Sequence, residues 1–323
     1  MKIYAILLNP TIDQIYEINN FNVGGTFKVS KNIIYPVGKT ISFSLAIREL
    51  DKRINLKVIA FIGNKDLQLY SDFLVSKNID YEFIKINGKT RSNKTINDPI
   101  NKTTTHIREK GFELNKKKII EFKKILNKNI EKNNIYVFSG SIPQNTQITI
   151  YKDLIRLCRE KGGICVLDTN GTPLIHGLKS SPQIIKPNLI ELSFILDDSS
   201  LLDLDFSNPI PPCMKIIQKA KHLLNNEIEI ILITLGKYGG IVFTKDIAKY
   251  GNIELENVID TVGSGDSFLA GFVLYYCKKK NIHETFKYAL ATGAANTQKS
   301  GPGMMDFEKV KDLVNKVKII DIF

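Results

Sequence analysis

Asp260-Thr-Val-Gly-Ser-Gly-Asp-Ser-Phe-Leu-Ala-Gly-Phe272 sets two closely spaced glycines directly before a stretch that turns strongly apolar. The β-prone run Ile253 to Ile259 comes just ahead of it, so the expected order is strand, glycine turn, helix. In that order Gly263, Ser264 and Gly265 present backbone N–H groups at a helix N-terminus, an arrangement that binds anions. Asp266 stands beside them as a carboxylate. Phosphoryl transfer asks for both, because fixed donors stabilise the charge on the moving group while a carboxylate takes the acceptor hydroxyl's proton. The plainer alternative is a tight turn with Asp266 capping the helix, and local chemistry does not separate the two.

Outward from this stretch, short β-branched runs alternate with helical periodicity, which predicts an α/β fold around a parallel sheet. The expected strands are Ile3 to Leu8, Leu56 to Ile62, Ile135 to Ser139, Gly163 to Asp168, Gln183 to Lys186 and Ile228 to Leu235. The expected helices are Ile41 to Leu50, Leu67 to Lys77, Lys116 to Asn129, Thr146 to Glu160, Ile190 to Leu196, Met214 to Leu224, Gly265 to Lys279 and Ile282 to Thr297. Two segments break the alternation. Asp13 to Tyr35 and Tyr81 to Ile107 have β-prone patterns without helical period, and read as a small second sheet inserted twice into the larger domain. The expected division is residues 1–12, 36–80 and 108–323 for the large domain and 13–35 and 81–107 for the small one. Residues 197–213, rich in Asp, Ser and Pro, read as a surface loop.

In a parallel α/β sheet the ligand lies beyond the carboxyl ends of the strands, and most of the polar signatures fall there. In Ile185-Lys-Pro-Asn-Leu-Ile-Glu191, Asn188 and Glu191 are one turn apart and could face a magnesium ion or its waters. They could equally be a helix start with an exposed Glu. Thr234-Leu-Gly-Lys-Tyr-Gly239 ends an apolar strand in a glycine-rich turn and is weak alone. Val37-Gly-Lys-Thr40 is not a P-loop, because Ile33 occupies the position of the first required glycine. A dinucleotide fingerprint fails as well, with Phe268 where a third glycine is needed.

Composition bounds the partners. The chain has 323 residues, 43% hydrophobic and 24% charged, which excludes disorder as its main state. A net charge of +12 raises nucleic acid or an anionic membrane as partners. However, only Arg48, Arg53, Arg91, Arg108, Arg156 and Arg159 are arginines, and no basic run exceeds three residues. Solvated lysine is the better reading, and neither nucleic acid nor membrane is expected as a partner. Cys158, Cys165, Cys213 and Cys277 lie far apart without metal-ligand spacing, and read as buried thiols in a reducing cytoplasm. Met1 to Pro10 reads as a first strand, not a signal peptide, and no apolar stretch is long enough to span a membrane.

Order and joint presence of the pieces add what none gives alone. Leu8 to Asp13, Val23 to Gly25, Tyr35 to Lys39, Thr90 to Asn93, Ser139 to Pro143, Leu167 to Gly171, Ile185 to Asn188 with Glu191, Thr234 to Gly236 and Asp260 to Ser267 together resemble the ribokinase-like sugar kinases. Within them the resemblance is to the phosphofructokinase B family, in its 1-phosphofructokinase and tagatose-6-phosphate kinase branch. It implies a three-layer sandwich with a mostly parallel sheet and a small β-sheet lid, often paired with its copy in a homodimer. By the resemblance Asp266 is the catalytic base, and the amides of Val262 to Gly265 form the anion hole. Lys186, Asn188, Thr234, Gly236, Gly239, Gly265 and Asn296 face ATP. Glu191 acts indirectly on Mg2+, Asp13 holds sugar hydroxyls, and Gly38, Lys39, Arg91 and Asn93 lie toward the sugar phosphate, Arg91 with a fork suited to phosphate.

Departures from the family pattern cluster on the sugar side. Pro36-Val-Gly-Lys-Thr-Ile-Ser42 stands where relatives have Pro-Gly-Gly-Lys-Gly-Ile-Asn, so Val37, Thr40 and Ser42 add or shorten side chains near the ligand. Phe27-Lys28, Asn64, His106 and Arg108 also depart. The expected activity is phosphorylation of fructose 1-phosphate to the 1,6-bisphosphate, with tagatose 6-phosphate or another sugar phosphate as the alternative within enzymes. A nucleotide-binding regulator that has lost catalysis is the alternative outside them.

Overall fold

The computed structural model describes residues 1–224 and 227–323. The first half of the chain runs β1 (Ile3–Leu7), β2 (Thr11–Glu17), β3 (Lys31–Val37), α1 (Lys39–Leu50), β4 (Leu56–Gly63), α2 (Leu67–Ser76), β5 (Asp80–Ile86), β6 (Arg91–Asp98), β7 (Thr103–Arg108) and α3 (Lys116–Lys128). It continues through β8 (Ile135–Ser139), α4 (Ile150–Arg159), β9 (Ile164–Asp168), α5 (Gly171–Leu178), β10 (Ile184–Ile185), α6 (Leu189–Leu196), α7 (Ile210–Ala220) and β11 (Ile230–Thr234). The last elements are β12 (Gly240–Phe243), β13 (Ala248–Asn252), α8 (Ser264–Cys277), α9 (Ile282–Asn296), α10 (Phe307–Val314) and β14 (Lys318–Asp321).

Ten strands form the large sheet in the order β14-β13-β12-β11-β10-β9-β8-β1-β4-β5. From β11 to β5 every pair is parallel, and β12 to β14 extend the sheet as an antiparallel edge. Successive residues of a strand face opposite sides, so β1 sends Ile3, Ala5 and Leu7 into one core and Tyr4 and Ile6 into the other. α1, α2, α8, α9 and α10 cover the first core, and α3 to α7 the second. The result is a helix, sheet, helix sandwich. Helix α4 has the expected one-sided pattern, with Ile150, Tyr151, Leu154, Ile155 and Cys158 buried. Helix α8 is different: every residue from Ser267 to Tyr275 is buried, because α1 and α9 pack on it from both sides.

β2, β3, β6 and β7 form a separate sheet in the order β3-β2-β6-β7. The segment Tyr81 to Ile86, expected in this small sheet, instead pairs along β4 as the edge of the large one. Its alternation marks a half-buried strand, and a period of two does not say which sheet the strand joins. Residues 19–30 hold no strand, and Val23, within the segment expected to be β, is 99% exposed. The expected loop at 197–213 already contains the start of α7, whose first turn accepts the prolines. The run Ile253 to Ile259 is not a strand, and Val258 and Ile259 lie exposed. Elements α5, α10 and β12 to β14 were not expected, and glycine and proline obscure the pattern of α5. Three of the four cysteines are buried and Cys277 is half-buried. No helix among the described residues is long and apolar enough to cross a membrane.

The small sheet is tied by a buried carboxylate at its far end. Asp98 accepts from the N–H groups of Asn20, Phe21, Ile100 and Asn101 and from the Asn101 side chain, at 2.7 to 3.2 Å. Asp98→Ala should therefore speed amide hydrogen exchange at 20–21 and 100–101 while leaving exchange in α8 unchanged. Equal protection in variant and wild type would show that the loop is held by something else.

Candidate active site

The carboxyl ends of β8, β9 and β10 bring Ser139, Asp168 and Lys186 together. Asp168 is fully buried and binds Lys186 Nζ at 3.1 Å, Lys39 Nζ at 3.3 Å and Ser139 Oγ at 2.8 Å. Burial alone would raise its pKa, but Lys186, Lys39 and the Ser139 hydroxyl hold it down to about 2. Burial likewise opposes the Lys39 charge, and Asp168, Asp266 and Glu191 outweigh it and raise that pKa. Two cations are thus fixed at the floor of the cleft by one anion. Sequence reasoning had not placed Asp168 or Ser139 in the site, although both end expected strands where the strand-end rule points.

Two glycine-capped helices aim at the same place. Gly38 precedes α1 at φ 137°, Gly263 precedes α8 at φ 80°, and neither helix has a side-chain cap. A Cβ on Gly263 would lie 2.9 Å from Pro302 Cα as well as forcing a left-handed backbone, so this position admits only glycine. Of the expected anion hole, Val262 N–H is bound by Asp260 Oδ1 and Ser264 N–H by the Thr261 carbonyl. The amides of Gly263 and Gly265 find no acceptor among the described residues. Lys186 Nζ lies 3.7 Å from where a Cβ of Gly265 would stand, so an ammonium flanks the turn. Asn296, expected to face ATP, is 0% exposed; its amide instead binds the Gly301 and Met304 carbonyls at 3.2 and 2.9 Å. It holds the loop on which Gly263 packs.

Asp266 follows the turn. Burial pushes its carboxyl up to about 7, Asp168 and Asp13 add like-charge repulsion, and Lys39 and Lys186 oppose the rise. A carboxylate poised near neutrality suits a general base. Asn188 and Glu191 form a reciprocal cap on α6, with Glu191 N–H to Asn188 Oδ1 at 2.8 Å and Asn188 N–H to Glu191 Oε2 at 2.9 Å. The helix start expected at this motif is present as the cap, but its Glu does not face solvent: Glu191 is only 8% exposed. Burial and then Asp168 raise its pKa. One Glu191 oxygen is committed to the cap, and no cluster of three metal-ligating side chains exists among the described residues. This donor set fits an ion held mainly by phosphate oxygens and water, as magnesium beside a nucleotide is. Thr234 pairs with Asn188 at the end of β11; beyond it Gly236 stands open, whereas Gly239 packs closely against the Gly251 carbonyl.

On the other side stands the small sheet. Asp13 Oδ1 accepts from Asn93 Nδ2 and Thr11 Oγ1, each at 3.1 Å, and burial raises its pKa against those bonds. Arg91 does not offer the expected free fork. Its Nε and Nη2 bind the Pro10 and Asn9 carbonyls at 3.1 Å, clamping the link between β1 and β2. Val37, Thr40 and Ser42 are all buried; Ser42 Oγ turns back to the Gly38 carbonyl at 3.3 Å, and Thr40 Oγ1 has no hydrogen-bond partner among the described residues.

Comparison with known proteins finds relatives along the length of the chain. The model of the pfkB family of carbohydrate kinases matches residues 8–308. The chain is 29% identical to the tagatose-6-phosphate kinase of Staphylococcus epidermidis over 99% of its own length and 100% of that protein's. It is 26% identical to the 1-phosphofructokinase of Bacillus subtilis, over 98% of this chain and 99% of that one. Its fold matches the phosphofructokinase-2 of Escherichia coli, solved with substrates and products, at a TM-score of 0.88 and 20% identity over 98% of this chain and 99% of that one. The fold is that of the ribokinase-like kinases.

Asp168→Asn would leave two ammonium groups facing each other, and breaking a buried ionic cluster costs about 3 to 5 kcal/mol, here toward the lower end because Lys39 is partly open. Urea denaturation at pH 7 should show that loss. The carboxyl's folded pKa is below its unfolded value, so its stabilisation is present above about pH 4 and fades as pH falls toward 2. Asp266 has the opposite sign: Asp266→Asn should be the more stable protein above pH 7, with the advantage gone below about pH 4.

Proposed function

We propose, since the chain belongs to the pfkB family of carbohydrate kinases, that its cleft transfers the γ-phosphoryl group of ATP to a hydroxyl of a sugar phosphate. The observation that carries the reading is Asp266, a carboxylate poised near pH 7 at the mouth of an uncapped, glycine-entered helix, with Asp13 across the cleft. Fructose 1-phosphate is the acceptor we favour, giving the 1,6-bisphosphate. Tagatose 6-phosphate is the second reading, supported by the relative at 29% identity.

Asp13 and Asn93 orient the acceptor, and Asp266 takes the proton from its attacking hydroxyl as oxygen approaches phosphorus in line. The amides of Gly263 and Gly265 receive the charge that develops on the transferred group, with Lys39 and Lys186 behind them. Thr234, Gly236 and Gly239 border the nucleotide. Mg2+ bound to the nucleotide phosphates would lower their charge, and Asn188 and Glu191 are the residues that would hold its waters. A homodimer through the small sheet is part of the proposal, supported by Ile34 and Ile107, exposed on the face away from Asp13.

Asp266→Asn should bind ATP with wild-type affinity and lose about 10³-fold in kcat. In the wild type kcat/KM should rise with pH through about 7, because the base works only when deprotonated. An ADP-release assay with fructose 1-phosphate, fructose 6-phosphate and tagatose 6-phosphate ranks the acceptors. Turnover of none of them, or near wild-type kcat in the variant, would overturn the reading.

A further inference from the structure

The two basic side chains expected to meet the sugar's phosphate are already engaged. Lys39 is tied to Asp168, and Arg91 has turned its Nε and Nη2 onto main-chain carbonyls. Arg108, the last residue of β7, is exposed, and its guanidinium has no hydrogen-bond or ion-pair partner among the described residues. The strand register puts Arg108 opposite Asn93, and Asn93 opposite Asp13. Paired residues project from the same face with Cβ atoms about 5 Å apart, so the three side chains stand in one row on the cleft side of the small sheet. Tyr35, the next member of the row, lies against Gly301 beside the α8 turn, which orients this face toward Asp266. Asn93 gives its Nδ2 to Asp13, and its Oδ1 is buried without a partner. A hydroxyl could satisfy that acceptor. The charges of Arg108 and Arg91 both act on Asp13.

We propose that Arg108 binds the phosphate that the acceptor sugar already carries, with its whole fork open, whereas Arg91 has its Nε and one Nη2 donor committed to the Asn9-Pro10 link. The inference deepens the sugar-phosphate kinase reading and rests on it. The row then reads one substrate from end to end. Asp13 and Asn93 take hydroxyls, and the guanidinium at the far end takes the dianion in the paired geometry that lysine cannot reproduce. Because the free guanidinium is at the sheet edge, the contact selects phosphorylated over unphosphorylated sugar without being needed for the fold.

Initial-rate kinetics on wild type, Arg108→Ala and Arg108→Lys test this, with fructose 1-phosphate, tagatose 6-phosphate and unphosphorylated fructose as acceptors. In Arg108→Ala, KM for the preferred sugar phosphate should rise about 30-fold, equivalent to about 2 kcal/mol, with kcat changed less than about threefold and KM for ATP unmoved. The preference for that sugar phosphate over fructose should shrink by the same factor, and Arg108→Lys should recover only part of it. A wild type that uses a sugar phosphate while Arg108→Ala keeps its KM within about twofold overturns the assignment of Arg108 alone. A wild type that uses neither sugar phosphate overturns the kinase reading together with it.

Discussion

The ion cluster of Lys39, Asp168 and Lys186 is the constraint on which the cleft depends. One carboxylate, itself fully buried, holds two ammonium groups that reach it from different parts of the chain: the start of α1 and the end of β10. Two cations alone at that depth would repel each other, and the Asp168 carboxylate between them offsets that repulsion. The cluster lies next to two open helix N-termini. The same cluster acts on Asp266, since Lys39 and Lys186 moderate the rise that burial imposes while Asp168 adds to it. A carboxylate near pH 7 is the balance of these opposing effects.

Rigidity of the catalytic end follows from packing. Helix α8 is enclosed by α1 and α9, and the loop carrying Gly301 to Gly303 is wedged against both glycine-capped helix starts. Asn296 holds that loop from within. The resemblance to the sugar kinases implies that Asn296 faces ATP, whereas its amide binds the carbonyls of the loop on which Gly263 packs.

Much of the large domain was legible because strands buried on both faces leave continuous apolar runs, as β1 and β8 do. The glycine turn before α8 was legible because φ values above zero and close approach leave glycine as the only choice. Less was legible where a residue's partner lies far along the chain. Asp168 looks like the end of a strand until Lys39, 129 residues away, is seen against it. Arg91 looks like a free fork until the Asn9 and Pro10 carbonyls occupy it. β5 fits either sheet by its period, and only tertiary pairing decides. The short antiparallel edge of β12 to β14 carries too few residues for periodicity to register.

The register of the small sheet has a mechanical consequence. Thr11, Val37 and Arg91 lie side by side, with the end of β7 close by, so all four chain crossings between the two sheets gather at one end of the smaller one. A plate joined along a single edge swings like a door and does not slide. Asp13 and Asn93 are two residues from that axis, about 7 Å at 3.3 Å per residue, whereas Glu17 and Lys31 are about 20 Å away. A wide sweep of the outer end therefore displaces the row of Asp13 and Asn93 by roughly a third as much. Such a swing would widen the cleft while that row stays nearly in place.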